Sequence, residues 1–368
     1  MKKIFTVLTS IALTFALSFS AAFANDDALM KSQNYLKTIT LDSPDAVIAY
    51  EATGMEADYK ADALLNNFKE TDYVTASYGD LAKSIIAISL LGENPKDFNN
   101  TNLVEILENR VQEDGTLTND VNGGCGATIW TLMALETVNS PKVKAVADKL
   151  STMAMDNGAY WYEYQGPNAD LDTTGWAMEA LSVAGRSTYK AAISKAYTFV
   201  QSKLNSTDGY YDNWGGNADT QSCVLEGLSV AGYTLDTNAY NYLLSYQNED
   251  GTFNALNYST GQLEPNAYAS VEGARALGVI NNGSFVLRAR RDYTETTTPV
   301  VTEPETPTTP TKPSTTTPAV KPETTTTEPK KETVKVVNTG DNTNVMAYVV
   351  AAIAAVGVIV LVIKSKKK

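Results

Sequence analysis

The sequence predicts an all-α domain of six helical hairpins, and three observations lead to that prediction. The segment Glu179–Gly185 recurs as Glu226–Gly232 and as Glu272–Gly278, so that the final glycines stand 47 and 46 residues apart. No convincing alternation of apolar and polar residues, the pattern of a strand, survives in the domain. An Asp-Gly or Asn-Gly pair accompanies the repeats, at positions 114–115, 157–158, 208–209 and 250–251.

Each repeat unit is expected to hold two helices. The first helix ends near the Asp-Gly or Asn-Gly pair, and the second ends at a glycine, a residue typical of helix C-caps. Residues 46–54, 85–92 and 133–139 occupy the same register and bring the number of units to six. Two closures suit twelve such helices: an open superhelix and a closed double ring.

The composition excludes several kinds of chemistry. The chain contains no His, which removes Ser-His-Asp and Cys-His nucleophile pairs and every His-ligated metal site. Cys125 and Cys223 are too few for a Cys-rich metal site, and we expect both thiols to be free because a whole helix separates them. We expect no metal and no cofactor. Residues 25–292 carry 18 Lys and Arg against 35 Asp and Glu, so nucleic acid is not an expected partner.

The beginning of the chain is typical of an export signal. Lys2 and Lys3 precede an apolar run, and Ala22-Phe23-Ala24 supplies a small-x-small cleavage pattern. We expect residues 1–24 to be a signal peptide that is removed after export. The domain of residues 25–292 is then expected to fold outside the cell.

The end of the chain is expected to hold a linker and an anchor. Of the 40 residues from Thr294 to Thr333, 17 are Thr and 8 are Pro, and such a composition cannot offset the entropy lost on folding. We therefore expect residues 293–335 to be a disordered linker. Residues 345–363 are almost wholly apolar and long enough to cross a bilayer, and the lysines that follow place the end of the chain in the cytoplasm.

The segment between linker and anchor resembles the cell-wall sorting signal of Gram-positive surface proteins. In that family a sortase cleaves between the Thr and Gly of Leu-Pro-x-Thr-Gly. Thr339 and Gly340 fit the motif, whereas Val336-Val337 stand where Leu-Pro is expected. The resemblance implies that residues 336–368 direct attachment to the cell wall by a sortase, and a plain membrane anchor is the alternative. Both interpretations place the domain at the extracellular face of a Gram-positive bacterium.

A second resemblance concerns the domain itself. Residues 242–253, through Gln247, Gly251 and Phe253, resemble the Gln-x-x-x-Gly-x-aromatic repeat of the terpene cyclase and protein prenyltransferase superfamily, which includes the squalene cyclases. Members of this superfamily fold as an (α/α)6 toroid, with six second helices in an inner ring and six first helices in an outer ring. The resemblance covers nearly all of residues 27–280 and implies the closed double ring.

A helical projection of the second helices, at 100° per residue, places three glutamates at one level of adjacent helices. Glu179, Glu226 and Glu272 are expected to face the lumen of the ring. One interpretation is a carboxylate cluster that binds a cation or delivers a proton. The other is structural: each carboxyl group is hydrogen-bonded to hydroxyl groups or paired with Arg275 or Lys83, because an unpaired buried Glu is costly.

Aromatic and acidic residues precede the second helices and are expected to lie at one mouth of the ring. Aromatic rings with polar tips at a concave mouth suit a sugar or a flat heterocyclic ligand, and packing within the loops is the alternative. Asp172 and Asp219 are expected to be helix N-caps. The candidate ligand-binding residues are Tyr160, Trp161, Tyr162, Tyr164, Asp170, Asp172, Trp176, Glu179, Tyr211, Trp214, Asp219, Glu226, Tyr268 and Glu272.

The superfamily resemblance leaves three functions open. Residues 170–174 resemble the Asp-x-Asp-Asp-Thr acid motif of class II terpene cyclases, which implies Asp172 as a proton donor, although Thr173 replaces the final Asp. The vitamin B12 carriers of the superfamily bind a ligand at the mouth without turnover. We expect a surface-displayed protein that binds a small-molecule or glycan ligand, or a partner, at this mouth and is not an enzyme. The alternatives are an extracellular carboxylate-dependent enzyme, cyclase-like or glycan-active, and a structural or adhesive wall protein.

Overall fold

The computed structural model describes residues 26–56, 62–120, 123–162, 166–213 and 215–293. Within these ranges the chain is mostly helical, which confirms the all-α prediction in its coarse form. The predicted signal peptide, sorting signal and transmembrane span lie outside the described residues, as does the linker apart from its first residue. Of the helices that are described, none has the length and apolar character needed to cross a membrane.

Among the described residues, six helices, here called the inner helices and given even numbers below, contact one another in cyclic order. Each packs against the next along the chain, and the last packs against the first. A short helix, α13 (Phe285–Ala289), follows them. The inner helices are α2 (Pro44–Ala52), α4 (Tyr78–Leu90), α6 (Cys125–Thr137), α8 (Leu171–Gly185), α10 (Ala218–Ala231) and α12 (Ala267–Asn282).

Six odd-numbered helices, here called the outer helices, alternate with the inner ones along the chain. Where their packing is defined, each lies against one or two inner helices, as α7 lies against α6 and α8. Together the two sets give six helix pairs in chain order. The outer helices are α1 (Asp26–Leu36), α3 (Asp62–Glu70), α5 (Leu103–Glu108), α7 (Val143–Met153), α9 (Lys190–Ser202) and α11 (Thr237–Leu244).

Each Asp-Gly or Asn-Gly pair forms a turn whose glycine lies against the next outer helix. A Cβ atom on Gly115 would lie 2.1 Å from a backbone oxygen of α7, and Gly158 and Gly209 approach α9 and α11 in the same way. The last turn reaches the start of the chain, because a Cβ on Gly251 would lie 2.1 Å from the carbonyl oxygen of Lys31 in α1. These turns therefore connect successive hairpins from α5 to α11 and connect the last hairpin to α1.

Two short two-stranded hairpins accompany the described helices of the domain. A hairpin of β3 (Phe253–Asn257) and β4 (Gln262–Asn266) precedes α12, and β1 (Leu204–Asn205) pairs with β2 (Tyr210–Tyr211). In the hairpin Leu256 lies opposite Leu263, and both side chains are about half exposed. Phe253 and Tyr211 are fully buried whereas Leu256 and Leu263 are not, so the strands show no regular alternation of apolar and polar residues from which to predict them.

The residues after α12, here called the C-terminal strap (residues 283–293), cover the C-terminal ends of the inner helices. Helix α13 contacts α2, α4 and α6. Arg288 donates to a carbonyl oxygen at the end of α2, Arg290 to one in α8, and Arg291 to one in α4. Cationic groups at helix C-termini satisfy free carbonyl groups and oppose the negative end of the helix dipole. The opposite end of the inner helices, here called the mouth, is the end at which a site was predicted.

Both cysteines are buried and free, as predicted. Cys125 is the first residue of α6 and Cys223 lies in α10. Helix α8 packs against both of these helices and separates them. The fold therefore depends on packing and hydrogen bonds within the described residues.

Replacing Gly251 by Ala is expected to destabilise the domain more than the same change at Gly92. Both glycines have positive φ, 85° and 82°, so alanine costs about 1–2 kcal/mol at either position. At Gly251 the collision with the Lys31 carbonyl adds about 1–3 kcal/mol, whereas a Cβ at Gly92 meets nothing within 4 Å. Urea unfolding followed by circular dichroism measures the difference, and equal losses would contradict the contact between the last turn and α1.

Candidate functional site

The helices at the mouth are capped by residues other than those the sequence indicated. Asp170 is the N-cap of α8, and its Oδ1 atom accepts a hydrogen bond from the Thr173 backbone N–H at 2.7 Å. Asn217 is the N-cap of α10. The prediction that Asp172 and Asp219 are N-caps is wrong, because each lies two residues past the cap. Their carboxyl groups are left for other contacts at the mouth.

When residues are counted from the N-cap of each inner helix, side chains at equivalent positions fall into three layers. The second residue after the cap gives the outermost layer, the sixth gives the middle layer, and the ninth gives the deepest layer. The outermost layer contains Asp45, Gly79, Gly126, Asp172, Asp219 and Tyr268. The middle layer contains Ala49, Lys83, Trp130, Trp176, Cys223 and Glu272, and the deepest contains Ala52, Ile86, Met133, Glu179, Glu226 and Arg275.

In the middle layer, side chains from neighbouring helices contact one another. The Lys83 Nζ atom lies 4.6 Å from the centre of the Trp130 ring, and that ring lies 5.8 Å from the ring of Trp176. Lys83 also forms an ion pair of 2.9 Å with Asp45 in the layer above. Lys83, Trp130 and Trp176 thus form one continuous set of contacts across three neighbouring inner helices.

A buried ionic cluster joins the deepest layer to Glu272 of the middle layer, so the three glutamates do not lie at one level as predicted. Arg275 donates through Nε to both carboxylate oxygens of Glu226, at 3.0 and 3.2 Å, and its Nη2 lies 3.7 Å from Glu272 Oε1. Glu179 accepts a hydrogen bond of 3.0 Å from the Ser284 hydroxyl in the C-terminal strap. The side chains of Glu179, Glu226 and Arg275 are 1% exposed. These contacts match the structural interpretation of the three glutamates.

Burial keeps two of the three glutamates protonated. It raises the pKa of Glu179 well above its usual range, and the adjacent Glu226 carboxyl group raises it further. Burial raises the pKa of Glu272 to about 8, although the Arg275 charge opposes the shift. The Arg275 guanidinium forms its closer ion pair with Glu226. The cluster is close to neutral despite its four ionisable side chains.

The outermost layer holds a second group of carboxyls. The Asn213 amide donates to Asp170 Oδ2 at 3.2 Å and to Asp172 Oδ1 at 3.3 Å. Burial raises the pKa of Asp172 to about 7, and the Asp170 charge contributes to the shift. Burial also raises the pKa of Asp219. Among the described residues no three acidic or thiol side chains are placed to hold a metal ion.

The aromatic candidates are divided between the wall and the mouth. Tyr160 and Tyr211 are fully buried, whereas Trp161 and Tyr162 are half-buried and Tyr268 is 55% exposed. The two buried tyrosines pack within the wall and present no surface to a ligand. The remaining two candidates, Tyr164 and Trp214, lie outside the described residues.

A cleft of about 640 Å³ opens at the mouth over the first turns of α4 and α6. Gly79 and Gly126 occupy its floor, in the layer where α8 and α10 carry aspartates. A Cβ on Gly79 would meet only the Ser77 hydroxyl, at 3.9 Å, so the space above α4 is open. Of the candidate ligand-binding residues that the structure describes, only Tyr162 lines this cleft. The cleft is also lined by Tyr78, Asp80, Lys83, Arg110, Asp120 and Trp130.

Arg110 holds the rim of the cleft in place. Its two terminal nitrogens donate to the carbonyl oxygens of three rim residues, Tyr73, Val74 and Ala76, at 2.7, 2.9 and 2.7 Å. The Tyr78 hydroxyl donates to the carbonyl oxygens of Thr118 and Arg110 from the other side. The rim is therefore fixed before any ligand arrives, which lowers the entropy cost of binding.

Comparison with known proteins adds no assignment to this geometry. No protein-family model matches the chain, and no curated protein is significantly similar to it. A functional interpretation must therefore come from the layers, the charges and the cleft described above.

The stability of the domain is expected to fall as the pH rises from about 5 to 8. The Glu272 carboxyl has a pKa of about 8 in the folded protein and about 4.3 when unfolded, so only the folded state retains the proton in this range. Glu272→Gln removes this titration. The slope of the free energy of unfolding against pH is therefore expected to flatten by up to about 1.4 kcal/mol per pH unit. Urea unfolding of both proteins at several pH values measures the slopes.

Glu226→Gln is the matched control. It leaves Arg275 without its carboxylate and is expected to lower stability by about 3–5 kcal/mol at every pH in the series. Identical slopes in the wild type and in Glu272→Gln would contradict the protonation states assigned to the cluster.

Proposed function

We propose that the domain is a non-catalytic binding protein, built as an (α/α)6 toroid, that holds a small-molecule or glycan ligand in the cleft at its mouth. The cleft is the observation that carries this proposal. Its volume of about 640 Å³ falls within the range of roughly 300–1,000 Å³ that is usual for ligand sites. Its fixed rim and glycine floor suit a preformed site.

Three features support the toroid. The inner helices contact one another in a cycle, the last Asp-Gly turn meets the first outer helix, and the side chains of the inner helices fall into layers. Gln247 and Gly251, which carry the superfamily resemblance, both contact α1, because the Gln247 amide donates to Ala28 O and Ser32 Oγ at 2.9 Å. The residues of the repeat motif thus connect the last helical hairpin to α1 of the first.

The position of Asp172 favours a binding protein over a cyclase-like enzyme. A pKa of about 7 suits a general acid, but Asp172 does not line the cleft, and its carboxyl is bonded to Asn213. A purely structural wall protein is disfavoured for a different reason. The deepest layer fills the interior, yet the floor over α4 and α6 is left open by two glycines.

We also propose that the domain is displayed at the extracellular face of a Gram-positive bacterium, either wall-linked by a sortase or retained by a membrane span. The signal-like residues 1–24, the sorting-like motif at Thr339 and Gly340, and the apolar residues 345–363 support this proposal.

Replacing Thr339 by Ala is expected to change how the protein is released from cells. A sortase that cleaves after Thr339 attaches the wild type to the wall, so release needs wall digestion, whereas the variant should keep its Lys tail and dissolve in detergent. Immunoblots of detergent and wall-digest fractions measure the distribution. Equal detergent release of both proteins would leave the membrane anchor alone.

Gly79→Leu is expected to empty the cleft without unfolding the protein. A leucine at this floor position projects into the open space above α4, and replacing a helical glycine does not lower helix stability. Native mass spectrometry of the full-length protein purified from its host is expected to show a bound molecule that the variant lacks. Thr198→Leu, on the exposed face of α9, is the control and should keep it. An unliganded wild type, or a ligand retained by Gly79→Leu, would contradict the proposal.

A further inference from the structure

The cations that line the cleft are already paired within the protein. Lys83 forms the 2.9 Å ion pair with Asp45 and lies over the Trp130 ring. Both terminal nitrogens of Arg110 donate to backbone carbonyls of the rim. A carboxylate or phosphate ligand would have to draw either cation away from these partners, and the desolvation of new charges would offset the gain. The lining therefore does not favour an anionic ligand.

The acidic groups of the cleft do not favour a cation either. Among the described lining residues the carboxylates are Asp80 and Asp120, and the cations Lys83 and Arg110 face the same space, so the formal charge of the lining is zero. Asp80 Oδ2 already accepts a hydrogen bond of 2.8 Å from the Ser77 hydroxyl. An ammonium group entering the cleft meets as many positive as negative side chains.

Uncharged polar groups supply the rest of the polar lining. Asn109 and Asn119 contribute amides and Thr118 contributes a hydroxyl, all with both donor and acceptor capacity. The half-buried Tyr162 ring borders the same space. Amide and hydroxyl groups around an aromatic ring match a ligand that carries many hydroxyls and one apolar face.

We propose that the cleft binds a short neutral glycan, with a pyranose face packed against Tyr162 and its hydroxyl groups bonded to the amides and hydroxyls of the lining. This inference rests on the proposed binding function and specifies the ligand class. The volume of about 640 Å³ accommodates a short oligosaccharide rather than a single small ion.

Trisaccharides of similar size and different charge test the inference. The neutral probes are N,N′,N″-triacetylchitotriose and cellotriose, the cationic probe is chitotriose at mildly acidic pH, and the anionic probe is trigalacturonate. Saturation-transfer-difference NMR with the full-length protein in detergent is expected to show binding of a neutral probe in preference to both charged ones. Gly79→Leu should abolish this binding, and Tyr162→Ala should weaken it about tenfold, while Thr198→Leu leaves it unchanged.

The outcomes separate the ligand class from the binding function. Two results overturn the neutral-glycan inference and leave the cleft as a binding site. One is preferred binding of a charged probe, and the other is a co-purified peptide, in each case with the binding lost in Gly79→Leu. Failure of both neutral probes to bind overturns the inference as well. When the protein also carries no molecule after purification from its host, the proposed function falls with it.

Discussion

The contact between each Asp-Gly or Asn-Gly turn and the next outer helix is the constraint on which the rest of the domain depends. The last of these turns, at Gly251, lies against α1, and the inner helices contact one another in cyclic order, so each inner helix is held by two neighbours. This cycle sets the inner helices with their N-termini at one mouth. A shift of one inner helix by a single residue would rotate its side chains by about 100° and separate Arg275 from Glu226.

The buried ionic cluster shows how this register is coupled to electrostatics. One guanidinium group and three carboxyl groups share the interior, and full ionisation of all four would leave two uncompensated charges away from water. Protonation of Glu179 and Glu272 avoids that cost, because a neutral carboxyl is far less expensive to bury than a carboxylate. The C-terminal strap contributes to the same cluster through Ser284, whose hydroxyl donates to Glu179. The strap therefore both covers the C-terminal ends of inner helices and supplies a hydrogen-bond donor to the buried cluster.

Much of the architecture was predictable because glycines and apolar residues recur at regular spacing along the chain. The recurrence of Glu179, Glu226 and Glu272 at one register predicted that these side chains lie on neighbouring inner helices. Helix starts were harder, because Asp170 and Asp172 are equally good caps by residue type, and the structure alone shows which one bonds the helix. The strap and the cleft depend on contacts between distant segments. No local pattern marks such contacts.

The cleft arises where the six-fold repeat loses its symmetry. At the second position after the cap, α8 and α10 carry aspartates and α12 carries Tyr268, but α4 and α6 carry Gly79 and Gly126. A glycine in a first turn gives up helix stability and leaves a gap that water or a ligand must fill. Two such glycines on adjacent helices, in a layer otherwise filled by larger side chains on α2, α8, α10 and α12, place the open volume on one side of the mouth. On the filled side of the mouth the inner helices pack through these side chains, and on the open side the charged groups are paired, so the proposed ligand would be bound through neutral hydrogen bonds.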